Sequence, residues 1–410
     1  MQSQNKPNVI LFIVDQLSAK WLEAARDEKI CALPNLDWLG ENGTIFTQTF
    51  TSNPMCSPTR ATIHTGQTSR GHGLVENGYA LDPKIPTFVQ ALQREGWRTG
   101  AFGKMHLRSH YESVNHDNRP YGYDVTHVTE DDRGGEWLDW VEKEHPEHYE
   151  AALSTAWADV PGFSTYGPDK INLAEKIKAA RANTPRATRE FPQNNPRSYT
   201  LPFPEEVSQS SWITTRAIDY LRSMPEQTPF FANISYVAPH PPFCPPAEYM
   251  DAVDASAIPN LLPAEWLDNP EAPGYFRKLS DAILGKSGEK CPWHTNYVDV
   301  YETKDGKRKV NPSIMYARHC YFADIVHLDA QLGRVKKALE ENGRLENTYI
   351  IFTADHGELL ADKGFIQKGA RHYDACVTEF LSLSPDQVCV KEKSEKSAYN
   401  LKISARRFWR

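Results

Sequence analysis

The stretch Cys56-Ser57-Pro58-Thr59-Arg60 sets a thiol, a Ser-Pro pair and a guanidinium close together. Serine suits a helix N-cap and proline suits the first turn, so the spacing predicts a helix start with Cys56 just before it and Arg60 about one turn inside. The backbone N–H groups and the positive end of the helix dipole then face Cys56, and Arg60 adds a fixed cation. Such a site binds anions: it would lower the pKa of a thiol, or hold a sulfate or phosphate ester. A buried Cys56 acting as a small hydrophobe satisfies the same stretch.

Four more polar groups follow apolar runs. NVILFIV leads to Asp15-Gln16, WRTGAF to Gly103-Lys104-Met105-His106, PFFANISYV to Pro239-His240, and NTYIIFT to Asp355-His356. The intervening segments read as helices: one from Pro34 to a glycine stop at Gly40, one from Thr87 to Gly96, and a long one from Asn311-Pro312 to near Gly343. Nearly continuous apolar strands alternating with helices predict an α/β fold whose large, mainly parallel sheet is flanked by helices on both faces. Ligands of such sheets bind at the carboxyl ends of the strands, where these groups converge. Each taken singly is also what a wet loop after a strand looks like.

The remaining sequence bounds the partners. Apolar residues at 40% and charged residues at 24% describe a globular protein, and the net charge of −7 is spread without a basic patch, which argues against nucleic acid and against a polybasic membrane segment. The seven cysteines are scattered, without paired spacing for zinc or a disulfide framework. The apolar run from Val9 ends at Asp15 and reads as a buried strand rather than a signal peptide, so the chain is expected in the cytoplasm. Stretches at about 108–205 and 245–310, rich in Pro, Asn, Trp and Tyr, read as insertions over the site, and the Ser/Lys-rich tail at 377–410 as an atypical end to a catalytic domain spanning 1–376.

C-x-P-x-R at 56–60 resembles the signature of the type I sulfatases of the alkaline phosphatase superfamily, in which the cysteine becomes Cα-formylglycine. ATIHTGQTSRGHG continues that motif, GKMHL at 103–107 resembles a second signature with Met105 where tryptophan is common, and VDQ at 14–16, APHPPF at 238–243, TADHGE at 353–358 and QKG at 367–369 match further blocks in order. The resemblance implies an alkaline phosphatase-like α/β fold, with the usual small C-terminal subdomain missing or altered. It implies hydrolysis of a sulfate monoester by hydrated formylglycine at residue 56, with a divalent cation on Asp15, Gln16, Asp355 and His356 and an oxygen of residue 56. Calcium is favoured, with Mn²⁺ or Mg²⁺ open, because Gln16 replaces a frequent aspartate and His356 a frequent asparagine. Arg60, Lys104, His106, His240 and Lys368 match the remaining active-site positions. His240 and Lys368 would contact the ester, while His106, assisted by Lys104, would take the proton that releases sulfate. A formylglycine-generating enzyme is the implied maturation partner, and a small-molecule or carbohydrate sulfate ester the substrate. A phosphonate monoester or phosphodiester hydrolase of the same superfamily is the alternative, and a truncated non-catalytic chain a further one. Asp324, Asp374 and Glu130-Asp131-Asp132 read as solvated or structural, and Arg108 and His110 as residues that could reach a substrate group.

Overall fold

A computed structural model describes residues 6–109, 116–184, 198–278, 300–302, 308–310, 312–368, 373–384 and 399–400, apart from single positions 158, 159, 168, 170, 263, 265, 267, 268 and 275. His110 and most of the tail lie outside the described residues.

The four apolar runs form β1 (Asn8–Val14), β3 (Arg98–Gly103), β5 (Phe230–Tyr236) and β8 (Thr348–Ala354). They are joined by β2 (Thr44–Phe50), β4 (Val125–Val128), β9 (Thr378–Ser384) and β10 (Tyr399–Asn400) in an eight-stranded sheet of order β10-β2-β9-β8-β1-β5-β3-β4. The five strands from β8 to β4 are mutually parallel, while β9 runs antiparallel to both β8 and β2. A separate antiparallel ribbon pairs β6 (Val300–Glu302) with β7 (Arg308–Val310).

Strand β1 shows why these runs are nearly all apolar. Successive side chains point to opposite faces: Ile10, Phe12 and Val14 enter one core with the long helix Pro312–Glu341 and the helix Gln209–Ser223, while Leu11 and Ile13 enter a second core under the helix Phe88–Arg94. Both faces of the sheet are therefore covered at its centre, and each fully buried large side chain stabilises the fold by roughly 1.5–3 kcal/mol.

The predicted helices are present, with two shifts of frame. In α2 (Pro34–Glu41), preceded by α1 (Ala19–Asp27), Gly40 lies inside the helix and Asn42 caps it; a Cβ at Gly40 would come within 2.9 Å of Ile45 Cδ1, so close packing rather than a stop explains the glycine. Helix α3 (Cys56–Thr65) begins at Cys56 itself, with Met55 as an extended N-cap and Thr59 N donating to Met55 O at 3.1 Å. Pro58 is tolerated in that first turn because its missing N–H would have had no partner within the helix.

The stretch expected as an insertion at 108–205 does more than cover the site. It supplies the edge strand β4 and short helices whose Trp137, Leu138, Val141, Leu153 and Ile177 belong to the main core. Their shortness is why the periodicity is weak in the sequence. At the start of the tail, Thr378–Ser384 occupies the sheet position between β8 and β2.

Candidate active site

Every group expected at a strand end lies along one edge of the parallel sheet. Asp15 and Gln16 follow β1, Lys104 and His106 follow β3, His240 follows β5, and Asp355 and His356 follow β8. Gly103 makes the β3 exit possible: at φ +86° a side chain is disfavoured, and a Cβ would lie 2.0 Å from Ser235 O. Gln16 and His106 both hold left-handed backbone, at φ 65° and 50°, an uncommon state that marks local strain at the site.

Cys56 is fully buried on the first turn of α3, with Sγ 3.1 Å from His356 Nε2 and 3.8 Å from Asp15 Oδ1. Burial and Asp15 push its thiol up, but Lys104, Lys368 and His356 outweigh them and bring it to about 6. Arg60, one turn on, is clamped: Nε donates to Asp355 Oδ2 at 2.8 Å, and Nη1 to Lys104 O at 2.6 Å and Ser235 Oγ at 2.7 Å. Among the described residues its buried Nη2 has no hydrogen-bond acceptor, and so remains available to an oxygen.

On the opposite side, the Lys104 ammonium pairs with both Asp15 and Asp131 and is fully buried. Burial and Lys104 lower His106 to about 4, while burial and Lys368 lower His240 to about 3. Both rings are therefore neutral near pH 7. His240 Nδ1 donates to Pro241 O at 2.9 Å, which leaves Nε2 as its unprotonated nitrogen. Lys368 reaches in from the loop after β8 and donates to Gln16 Oε1.

A family model described as Sulfatase matches residues 7–388. The chain belongs to the sulfatase family. An arylsulfatase of Clostridium perfringens is 23% identical over 95% of the chain and 71% of its own length. The multifunctional alkaline phosphatase superfamily protein PehA of Trinickia caryophylli is 28% identical over 88% of the chain and 65% of its own length. The phosphonate monoester hydrolase SpPMH from Silicibacter pomeroyi superposes with a TM-score of 0.69 at 22% identity, over 97% of the chain and 71% of that structure, and shows the shared alkaline phosphatase-like fold. The chain thus spans about two thirds of the length of these proteins.

Sulfatases generally use a formylglycine and a metal ion, and the donors present here fit a cation. Asp15, Cys56, Asp355 and His356 each offer a ligand atom, all buried and all within 4.8 Å of one another. His356 Nδ1 must carry its proton, because it donates to the Gly357 carbonyl at 3.1 Å, so Nε2 faces inward as a ligand. Gly357 cannot be replaced there, since a Cβ would lie 1.9 Å from Ala375 O. Asp355 Oδ1 accepts the backbone N–H groups of Gln16 at 3.1 Å and His356 at 2.9 Å, which ties the ends of β1 and β8 together.

Several participants escape sequence reasoning. Glu130, Asp131 and Asp132 are buried, not solvated; Glu130 Oε1 accepts the N–H groups of Met105 at 3.1 Å and His106 at 2.9 Å and so holds the β3 loop. Asn77 Oδ1 accepts from Ser57 N at 3.0 Å and caps α3 in place of the Ser57 side chain. Glu358 accepts from Gln16 Nε2 and from Leu360 N at 2.8 Å, fixing the amide. Asp324 is buried behind the site with its carboxyl pushed up by burial to about 8.

Proposed function

We propose that the chain hydrolyses a sulfate monoester through a formylglycine made from Cys56 and a divalent cation held by Asp15, Gln16, Asp355 and His356. The observation that carries this is the position of Cys56, at a helix start between a buried carboxylate–imidazole cage and a set of buried cations. Two carboxylates, an amide and one imidazole suit a hard cation, with Ca²⁺ preferred and Mn²⁺ or Mg²⁺ competing because of the imidazole.

The Cys56 Sγ stands where oxygen on the matured residue would be. Hydrated formylglycine supplies two hydroxyls on one carbon, and the divalent ion supplies Lewis acidity when bound. Arg60 Nη2 would hold one of those hydroxyls in line with the ester. Lys368 and His240 would take the sulfuryl oxygens and the leaving oxygen. Since Nε2 of His240 carries a proton only when the ring is cationic, the anionic substrate itself favours the acid form that protonates the departing alcohol. His106, neutral near pH 7, would accept the proton of the second hydroxyl, and the bond from that carbon to the sulfated oxygen would then break.

Organic substrate selection falls to the loops over the site, so small-molecule and carbohydrate sulfates both remain within this reading. A phosphonate monoester or phosphodiester hydrolase is the second reading, supported by Gln16, whose neutral amide in place of a frequent aspartate removes one negative charge from the cage, by the imidazole of His356 in place of a frequent asparagine, and by the fold shared with SpPMH. Coexpression with a formylglycine-generating enzyme should remove about 18 Da from the peptide containing Cys56. The matured protein should then cleave aryl sulfates faster than aryl phosphonate monoesters; the reverse order would favour the second reading, and an unconverted Cys56 in folded protein would overturn both.

A further inference from the structure

Asp131 arrives at the site from the end of β4, and its carboxylate pairs with the same Lys104 ammonium that pairs with Asp15. Its Oδ2 lies 3.9 Å from His106 Nδ1. One Asp131 oxygen, one His240 nitrogen, Cys56 Sγ and one Asp15 oxygen all lie within 4.8 Å of one another, and the residue is 5% exposed. Burial opposes its charge, but Lys104, His240 and His106 outweigh burial and hold the carboxyl below the usual carboxylate range. A carboxylate therefore stands against the very atoms that must receive an anionic ester.

We propose that Asp131 biases the site toward esters bearing one negative charge and against dianions, an inference that rests on the reading of this site as an ester-binding anion cradle. Around the cradle the cations Arg60, Lys104 and Lys368 are opposed by the carboxylates Asp15, Asp355 and Asp131, with a Glu130 oxygen within 4.8 Å of an Asp131 oxygen. Attraction comes from these cations, from the divalent ion and from local hydrogen bonds. Repulsion by Asp131 scales with the charge of the bound group, and in a buried site it is little screened by salt. A sulfate monoester or a phosphodiester meets it once. A phosphate monoester meets it twice, and so does the released sulfate, whose departure the same carboxylate promotes. Asp131 is not needed to hold the backbone of the β3 loop, because Glu130 accepts both N–H groups there.

The test compares methyl sulfate, a monoanion, with inorganic phosphate at about pH 8.5, where phosphate is a dianion. Binding is measured by calorimetry on the Ca²⁺-loaded protein before maturation, in which residue 56 is still a cysteine and neither anion turns over. Asp131→Asn should gain about tenfold or more for phosphate and only about the square root of that factor for methyl sulfate, so that the phosphate to methyl sulfate binding ratio rises by about threefold or more. Asp131→Glu should keep the wild-type ratio, and Asp131→Ser provides a second neutral variant if Asp131→Asn does not fold. A wild-type ratio in a folded neutral variant would overturn the proposal. These readouts need no turnover, so failure of the wild type to cleave aryl sulfates would count against the proposed reaction and not against the charge selection.

Discussion

On the metal side of the site, Asp15, Gln16, Asp355 and His356 grow directly from two paired strands, with Val14 in register with Ala354 and with the Asp355 carboxylate bonded to the backbone of both exits. On the ester side, Lys104 and His106 leave β3, His240 leaves β5, Asp131 follows β4 and Lys368 comes from the loop after β8, and the Lys104 ammonium is held between the carboxylates of Asp15 and Asp131. The first half is fixed by sheet register, so its geometry should survive the loss of a charge. The second half is a balance, so removing one charge should be felt by several groups. Cys56 and Arg60, both on α3, join the halves: Cys56 touches Asp15 and His356, and Arg60 spans from Asp355 to the Lys104 carbonyl.

The largest effect is expected where the halves meet. Cys56→Ala removes the atom that maturation must oxidise, and turnover of an aryl sulfate should fall by about 10⁴-fold or more. Because the cage is built by register, Ca²⁺ affinity in the same variant should fall by no more than about tenfold. A loss of metal binding as large as the loss of rate would break the distinction between the halves.

Next in size is Arg60→Met, which leaves Asp355 buried without its ion-pair partner. The expected cost is about 3–5 kcal/mol of stability, read by urea denaturation of the metal-free protein. Added Ca²⁺ should recover a good part of it, since the cation compensates the same carboxylate. A cost below about 1 kcal/mol would mean that Arg60 does not couple the two sides.

The sequence exposes these halves unequally, and for a physical reason. Strand-end residues are legible because long apolar runs announce the strands and the turn after each places its polar groups, so Asp15, Lys104, His240 and Asp355 could all be anticipated. Asp131 and Glu130 could not: β4 is four residues long, reads Val-Thr-His-Val, and is only partly buried, so nothing marks the acids after it as a strand end. Asn77 is hidden for a different reason. It caps α3 from twenty residues away in the chain, and a cap that comes from outside the helix leaves no local spacing; the nearby Ser57 suggests an N-cap two residues later than the observed Met55. Charge partners across segments are set by tertiary structure, which a linear pattern does not carry.

A pH effect separates the scaffold from both halves. His64 sits in the last turn of α3, where Nδ1 donates to Arg60 O at 2.7 Å and Nε2 meets Tyr123 OH at 2.8 Å, and burial lowers it to about 4 from 6.5. The unfolded chain therefore binds a proton below about pH 6.5 that the folded chain refuses until about pH 4, so stability falls as the solution is acidified through that window. The contribution of this one ring is roughly 3 kcal/mol. His64→Gln should be less stable at pH 7 yet show a shallower acid decline, measured by denaturant melts from pH 7 to 4. A parallel decline in the two proteins would remove His64 from the account.

The smallest effect concerns Glu358, which touches neither Cys56 nor Asp15 and instead holds the Gln16 amide, Leu360 N and Gln367 N. Its carboxylate decides which end of the amide is which: because it accepts from Nε2, Oε1 must point the other way, toward Lys368 and the cage. Glu358→Gln keeps the shape but allows the amide to reverse, so Ca²⁺ affinity should drop by about 10–100-fold, the usual range for a group that orients a ligand. The methyl sulfate to phosphate binding ratio should stay at the wild-type value, because no charge of the ester side has moved. If the ratio shifts along with the metal affinity, Gln16 and Lys368 act as one unit across the site, and the boundary between the register-built half and the charge-balanced half belongs on the far side of Lys368.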